Sequence, residues 1–165
     1  MKDNPTGETL LRLAYYPFHV REVDGQPILQ PAFFLSEDLL RKDRGGVSFN
    51  RREKLTETVR RIQHCCKLLE KRKSRPETAC VHEARLSRDL AAALSFNELP
   101  VRLVVQDDPS AFPNCYDGNK IMANPAHALL YVETGGVLLT KSDVKEIRET
   151  LTRWVTLVQH DIPCE

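Results

Sequence analysis

At 165 residues the chain is long enough for one domain whose core needs neither disulfides nor a structural metal. Hydrophobic residues make up 41% and charged residues 28%, the balance of a folded globular protein rather than a disordered one. A formal net charge of +1 excludes a global pull toward nucleic acid or a membrane surface, and no run of 18 apolar residues is present to span a bilayer.

The N-terminal MKDNPTGETL lacks the apolar stretch of a signal peptide. A cytoplasmic location is therefore expected, with Cys65, Cys66, Cys80, Cys115 and Cys164 as reduced thiols. The sequence shows no internal repeat and no low-complexity linker, so residues 1–165 are taken as a single globular domain.

In chain order, TLLRLAYY (9–16) predicts a strand closed by Pro17. A turn-rich stretch with Asp24-Gly25, Pro27 and Pro31 follows. AFFL (32–35) is expected as a short strand, and Ser36 as the cap of a brief helix, EDLLRK. Gly45-Gly46 breaks the chain before a strand at VSF (47–49). Asn50 then stands as a helix cap with Glu53 three residues on, followed by Leu55, Val59, Ile62, Cys66 and Leu69. That stripe predicts an amphipathic helix over about 51–73 with roughly six turns. KRKSRP closes it, with cations at the C-terminus and Pro76 as a stop.

TACVHEA (78–84) is expected as a strand, Ser87 as the cap of a helix at RDLAAALSF, and VRLVVQ (101–106) as a strand. Residues 107–125 read as one long loop, a length often associated with function. AHALLYVE (126–133) predicts a strand covered on both faces. Thr140 caps a last helix over about 141–160, with Val144, Ile147, Leu151, Trp154 and Val158 on one side. The expected fold class is α+β: a small mixed sheet covered by the two long amphipathic helices.

Charge is unevenly distributed. Residues 41–75 hold thirteen Lys or Arg against four Asp or Glu, and the rest of the chain is acidic. Arg51, Arg52, Arg60, Arg61, Lys67, Lys71 and Arg72 lie on the expected helix and form a candidate binding set. A protein partner with an acidic surface is expected, with a nucleic-acid backbone as the alternative. A solvated face paired with the protein's own acids is the competing structural explanation. Phe49 is the segment's one aromatic residue, so base stacking is not signalled.

Three polar residues stand at strand boundaries: His19 beyond the first strand, Ser48 within VSF, and His127 where the long loop enters a strand. If their strands are neighbours, a nucleophile with a base, or two imidazoles around a phosphate, would follow. That arrangement defines the alternative function, a small enzyme acting on a phosphate-containing or nucleotide-derived substrate. No G-x-S-x-G surrounds Ser48, and no glycine-rich phosphate cradle occurs, so no nucleotide cofactor is indicated. His64, Cys65, Cys66, Cys80 and His82 do not have zinc-ligand spacing, and no metal is expected. Arg153 and His160 have the Arg-x6-His spacing of a family of helical RNases, a two-residue match to which no weight is attached.

HV (19–20), PAFFL (31–35), GVSF (46–49), DDP (107–109) and NPAHA (124–128) occur in that order. This order resembles a family of small uncharacterised bacterial proteins with an HV…AF…GLSV…NPAHA skeleton. The resemblance implies an emphasis on His19, Ser48 and His127, and no activity. The function expected from sequence is a non-catalytic adaptor subunit of a bacterial multi-protein system, using the basic segment 41–75.

Overall fold

The computed structural model describes residues 8–16, 18–41, 45–60, 63, 81–96, 98–109 and 124–159. Its centre is a six-stranded sheet built from β1 (Thr9–Tyr15), β4 (Val47–Arg51), β5 (Val81–Ser87), β6 (Arg102–Asp107), β7 (His127–Glu133) and β8 (Thr156–Gln159). The order across the sheet is β6-β7-β4-β1-β5-β8, and every pairing is antiparallel. A separate hairpin joins β2 (Val20–Val23) to β3 (Gln26–Leu29). The short helices are α1 (Ser36–Leu39), the described part of α2 (57–60, helical again at Gln63) and α3 (Arg88–Ala93). The longest is α4 (Lys141–Trp154).

This overturns the expected mixed sheet under two long helices. Among the described residues the protein is mostly strand, and α4 alone exceeds two turns. Asn50 and Arg51 belong to β4, and a 3-10 turn, Arg52–Lys54, follows. The helix expected from residue 51 begins only after Thr56, whose hydroxyl accepts from Val59 N at 3.2 Å in N-cap fashion. Asn50 cannot cap because it lies within β4 and its side chain is engaged by Gln63 and Asn124. The remainder of the expected 51–73 helix, apart from Gln63, lies outside the described residues.

The last helix keeps its predicted start. Thr140 and Asp143 form a reciprocal capping box, with Asp143 N to Thr140 Oγ1 at 3.1 Å and Thr140 N to Asp143 Oδ2 at 2.8 Å. Ile147 and Leu151 are fully buried, but α4 stops at Trp154, not at 160. Val155, Thr156 and Val158 make three of the four residues 155–158 β-branched, which favours extended backbone. They lead into β8, which pairs with the free edge of β5 through Glu83↔Val158 and Arg85↔Thr156. Val158 thus belongs to a strand, not to the helical stripe.

AFFL is not a strand either. A 3-10 turn, Pro31–Phe33, tucks both Phe33 and Phe34 into the core, whereas a strand would send neighbouring side chains to opposite faces. The two rings meet edge-on at 5.0 Å, and each reaches Phe49 of β4, at 6.2 and 6.3 Å. The turn-rich stretch resolves into the β2–β3 hairpin around Asp24 and Gly25, both at positive φ, 51° and 75°. That is the two-residue turn whose twist suits an antiparallel pair. Val20 and Leu29 face the core from this hairpin.

The sheet has two unlike faces. Leu10, Ala14, Val47, Phe49, Ala84, Leu86, Leu130 and Val132 line the main core, covered by the hairpin, the 3-10 turn, α1, α3 and α4. The opposite face carries Leu11, Asn50, Glu83 and His127, with α2 laid against part of it through Val59, Arg60 and Gln63.

Close approach of β4 to β7 depends on Gly46. A Cβ there would lie 2.9 Å from Leu129 Cβ and 3.3 Å from Leu130 O. Gly46→Ala is expected to destabilise the fold by about 1–3 kcal/mol, measured as a lower midpoint of chemical unfolding with an unchanged slope.

Candidate functional site

Antiparallel pairing brings the start of β1, the ends of β4, β5 and β6, and the start of β7 to one end of the sheet. Four charged side chains meet there. Glu8 accepts from Arg51 Nε and from Arg51 Nη2, the latter at 2.8 Å, and from Arg88 Nη1 at 2.8 Å. Arg51 also holds Asp107 with Nη1 at 2.7 and 2.9 Å from its two carboxylate oxygens. Arg88 N donates to Glu8 O at 2.8 Å, so backbone and side chain clamp the same residue. Burial by itself would raise the Glu8 carboxyl, but hydrogen bonds and charge from Arg51 and Arg88 outweigh it and bring the group down to about 2. The same Glu8 hydrogen bond raises Arg51.

His127 stands beside this cluster, opposite Asn50 in the β4–β7 register. Its Nδ1 lies 2.9 Å from Asp108 O and 3.5 Å from Asp108 Oδ2. A carbonyl oxygen only accepts, so that contact puts the ring proton of neutral His127 on Nδ1 and makes Nε2 the basic nitrogen. Asp108 N in turn donates to His127 O at 2.9 Å. Fully buried Asn124 donates to Asn50 Oδ1 at 2.7 Å and accepts from Ala126 N at 3.1 Å. Asn50 donates onward to Gln63 Oε1 at 2.8 Å. A row of amides therefore runs from the start of β7 to α2. Asn124 N also donates to Pro109 O at 3.2 Å, joining the two ends of the 110–123 segment. Most of the expected 107–125 loop lies outside the described residues.

The three residues singled out from sequence are not gathered into one site. Ser48 and His127 share a face of neighbouring strands, but Ser48 is paired with Leu129, is exposed, and shares no hydrogen bond with His127. His19 belongs elsewhere. Its ring lies 5.4 Å from Tyr15 and stands edge-on to Phe33 at 5.4 Å, on the core side and beyond the far end of β1. A nucleophile–base pair between Ser48 and the two imidazoles has no geometric basis in this fold.

The candidate basic surface also divides. Arg51 belongs to the Glu8 cluster. Arg60 donates from Nε and Nη2 to Glu83 Oε2, at 3.0 and 2.5 Å, and Glu83 also accepts from Arg85 at 3.0 Å. Glu83 is 3% exposed, so Arg60 balances a buried charge and holds α2 to the sheet. Arg52 is exposed on its 3-10 turn. Arg61, Lys67, Lys71 and Arg72 lie outside the described residues. The space between Arg60, Glu83, Asn50, Gln63 and Leu13 is the size of a single water, not of a metabolite. Arg153 hydrogen-bonds Thr150 at 3.2 Å, and α4 ends one residue later, so no helix carries Arg153 and His160 on one face.

Sequence inspection overlooked Glu8, Arg88, Asp107 and Asn124. Glu8 is separated from Arg51 by 43 residues and from Arg88 by 80, and Arg51 from Asp107 by 56, so no local pattern could show them. Asn124 did carry a signal, the Asn-Pro turn that opens NPAHA, but its burial did not show there.

A carboxyl with a lowered folded value stabilises the fold above its ordinary value and loses that contribution as the pH falls through the folded one. Wild-type stability is therefore expected to fall between the ordinary 4.5 and about 2 for Glu8. Glu8→Gln should lose on the order of 1–3 kcal/mol at neutral pH and show a flatter acid limb, read from urea unfolding at a series of pH values. Asn124→Ala strands Asn50 Oδ1 and Ala126 N, and should lower stability by about 1–3 kcal/mol in the same assay at pH 7.

No family model, curated protein or solved structure matches this chain.

Proposed function

We propose that this chain is a non-catalytic binding subunit, an adaptor that meets an acidic protein surface through the basic segment 41–75. The observation that carries this reading is the charge of the segment, thirteen cations against four acids in a chain of net charge +1. Arg51 and Arg60 neutralise Glu8, Asp107 and Glu83 and are withdrawn from the surface. Arg52 and Lys54 stand exposed on the turn that leads into α2, which supports an outward cationic face there. Phe49, the aromatic residue of the segment, is 1% exposed inside the core. It offers no stacking surface to a single strand, which counts against single-stranded nucleic acid.

The test is retention of cellular partners by the tagged full-length chain, with and without nuclease and over a salt series. It compares wild type with the combined Arg61→Glu, Lys67→Glu and Lys71→Glu variant. Arg60 is left intact because reversing it would strand Glu83. The reading expects nuclease-resistant, salt-sensitive protein retention that falls at least about tenfold in the variant, at an unchanged Tm. Retention equal in both proteins overturns it. Retention of nucleic acid, lost with nuclease and with charge reversal, would replace the protein partner by a phosphate backbone.

A further inference from the structure

Arg12 is a cation set among apolar side chains. It lies on the core side of β1, opposite Ala84 and flanked along the strand by fully buried Leu10 and Ala14. Arg51, Arg60, Arg85 and Arg88 each have a carboxylate at salt-bridge distance. Among the described residues Arg12 has none. There its one hydrogen bond runs from Nη1 to Phe33 O at 2.6 Å, and its guanidinium carbon sits 4.5 Å above the centroid of the Phe33 ring. Asp38 and Tyr15 act on it through charge. Burial lowers the Arg12 pKa, against smaller upward pulls from those two groups, as expected of a desolvated cation short of counter-charge.

A guanidinium carries five N–H donors and stays charged, so a partly buried one among apolar side chains normally has a carboxylate or several acceptors around it. The fully enclosed side-chain nitrogen without a partner among the described residues is His82 Nδ1, not any nitrogen of Arg12. The remaining N–H donors of Arg12 therefore keep some accessible surface. The Phe33 ring supplies an apolar wall of low dielectric, in which an ion pair is stronger than in water. His19 stands edge-on to the same ring. Its Nδ1 accepts from Tyr15 N at 3.3 Å, which fixes the ring beside Phe33.

We propose that Arg12 is the receptor for a small oxyanion, a phosphate or carboxylate group, held by the guanidinium fork beside the Phe33 ring. The fork matches two oxygens of either anion. Binding supplies the counter-charge that the protein withholds. The proposal is independent of the basic segment, which is on another part of the chain.

The test is thermal unfolding of the full-length protein in rising sodium phosphate and, separately, sodium acetate, with ionic strength held constant by chloride. The expected result is a Tm that rises and saturates with one of the two anions. Selective response to phosphate identifies a phosphate-type ligand, and selective response to acetate a carboxylate. Arg12→Lys keeps the charge but loses the fork, and should weaken the half-saturating concentration by at least about tenfold. Where that variant is too unstable to compare, the Nε–H resonance of Arg12 in the wild type provides the readout, and it should move with the same saturation. No saturable rise with either anion, the same affinity in Arg12→Lys, or an Arg12 resonance indifferent to the anion would overturn the proposal and leave Arg12 as a tether for the 3-10 turn.

Discussion

The carboxylate of Glu8 joins pieces of chain that are far apart in sequence. It ties the start of β1 to the end of β4 through Arg51 and to the start of α3 through Arg88, while Arg51 reaches on to Asp107 at the end of β6. β1 lies inside the sheet, between β4 and β5, so its placement sets the register of both neighbours. A slip of one residue would turn Leu10 and Ala14 away from the core and bring Leu11 and Leu13 in. With side chains of Glu8 and Arg51 only 15% and 16% exposed, the pair is screened less by water and salt than a surface ion pair. Its position at the strand ends makes it a clamp on register as well as a source of stability.

The two faces of the sheet use different physics. On one, aliphatic and aromatic side chains interdigitate, with Phe33, Phe34 and Phe49 as its largest members. That face supplies most of the stabilisation, because hydrophobic burial scales with the apolar area removed from water. The other seats α2 through Glu83 with Arg60 and Arg85, and through the Asn50–Gln63 amide contact. Buried ion pairs of this kind add little net stability over an apolar substitute, but removing one partner is costly, so they fix where the helix sits. Arg12 breaks the division. It is a cation on the apolar face with no carboxylate at salt-bridge distance among the described residues, a mismatch that the proposed anion would relieve.

The structure also changes the weight of the charge asymmetry. Charge counts along a sequence treat all arginines alike, whereas folding divides them. Arg51 and Arg60 neutralise acids of the protein itself, and Arg41 lies over the Tyr131 ring at 4.2 Å. The cations still available to a partner are therefore fewer than the count, and Arg52 and Lys54 belong to them. His127 falls between these roles. Its Nδ1 is engaged by Asp108 and its neighbours are amides, so it is an oriented imidazole at the edge of a structural network rather than a member of a triad with Ser48 and His19.

Much of the local structure was legible in the sequence. β1, β4, β6 and β7 follow from short apolar runs bounded by Pro, Gly and Asn, and the start of α4 from Thr140 with Asp143, because strand alternation and helix capping depend on neighbouring residues. The same local rules misjudged Asn50, which has the form of a helix cap but is engaged by Gln63 and Asn124. They misjudged Val158 as well, since a heptad step does not reveal that β5 has a free edge for a largely β-branched segment to pair with. The separation of His19 from Ser48 and His127, and the gathering of Glu8, Arg51, Arg88 and Asp107, were decided by tertiary structure alone. Strand order determines which ends meet, and side-chain alternation determines which face each residue takes. Composition, charge distribution and element starts are local properties that the chain carries with it. Contacts between residues 43 to 80 positions apart exist only once six strands have chosen their neighbours.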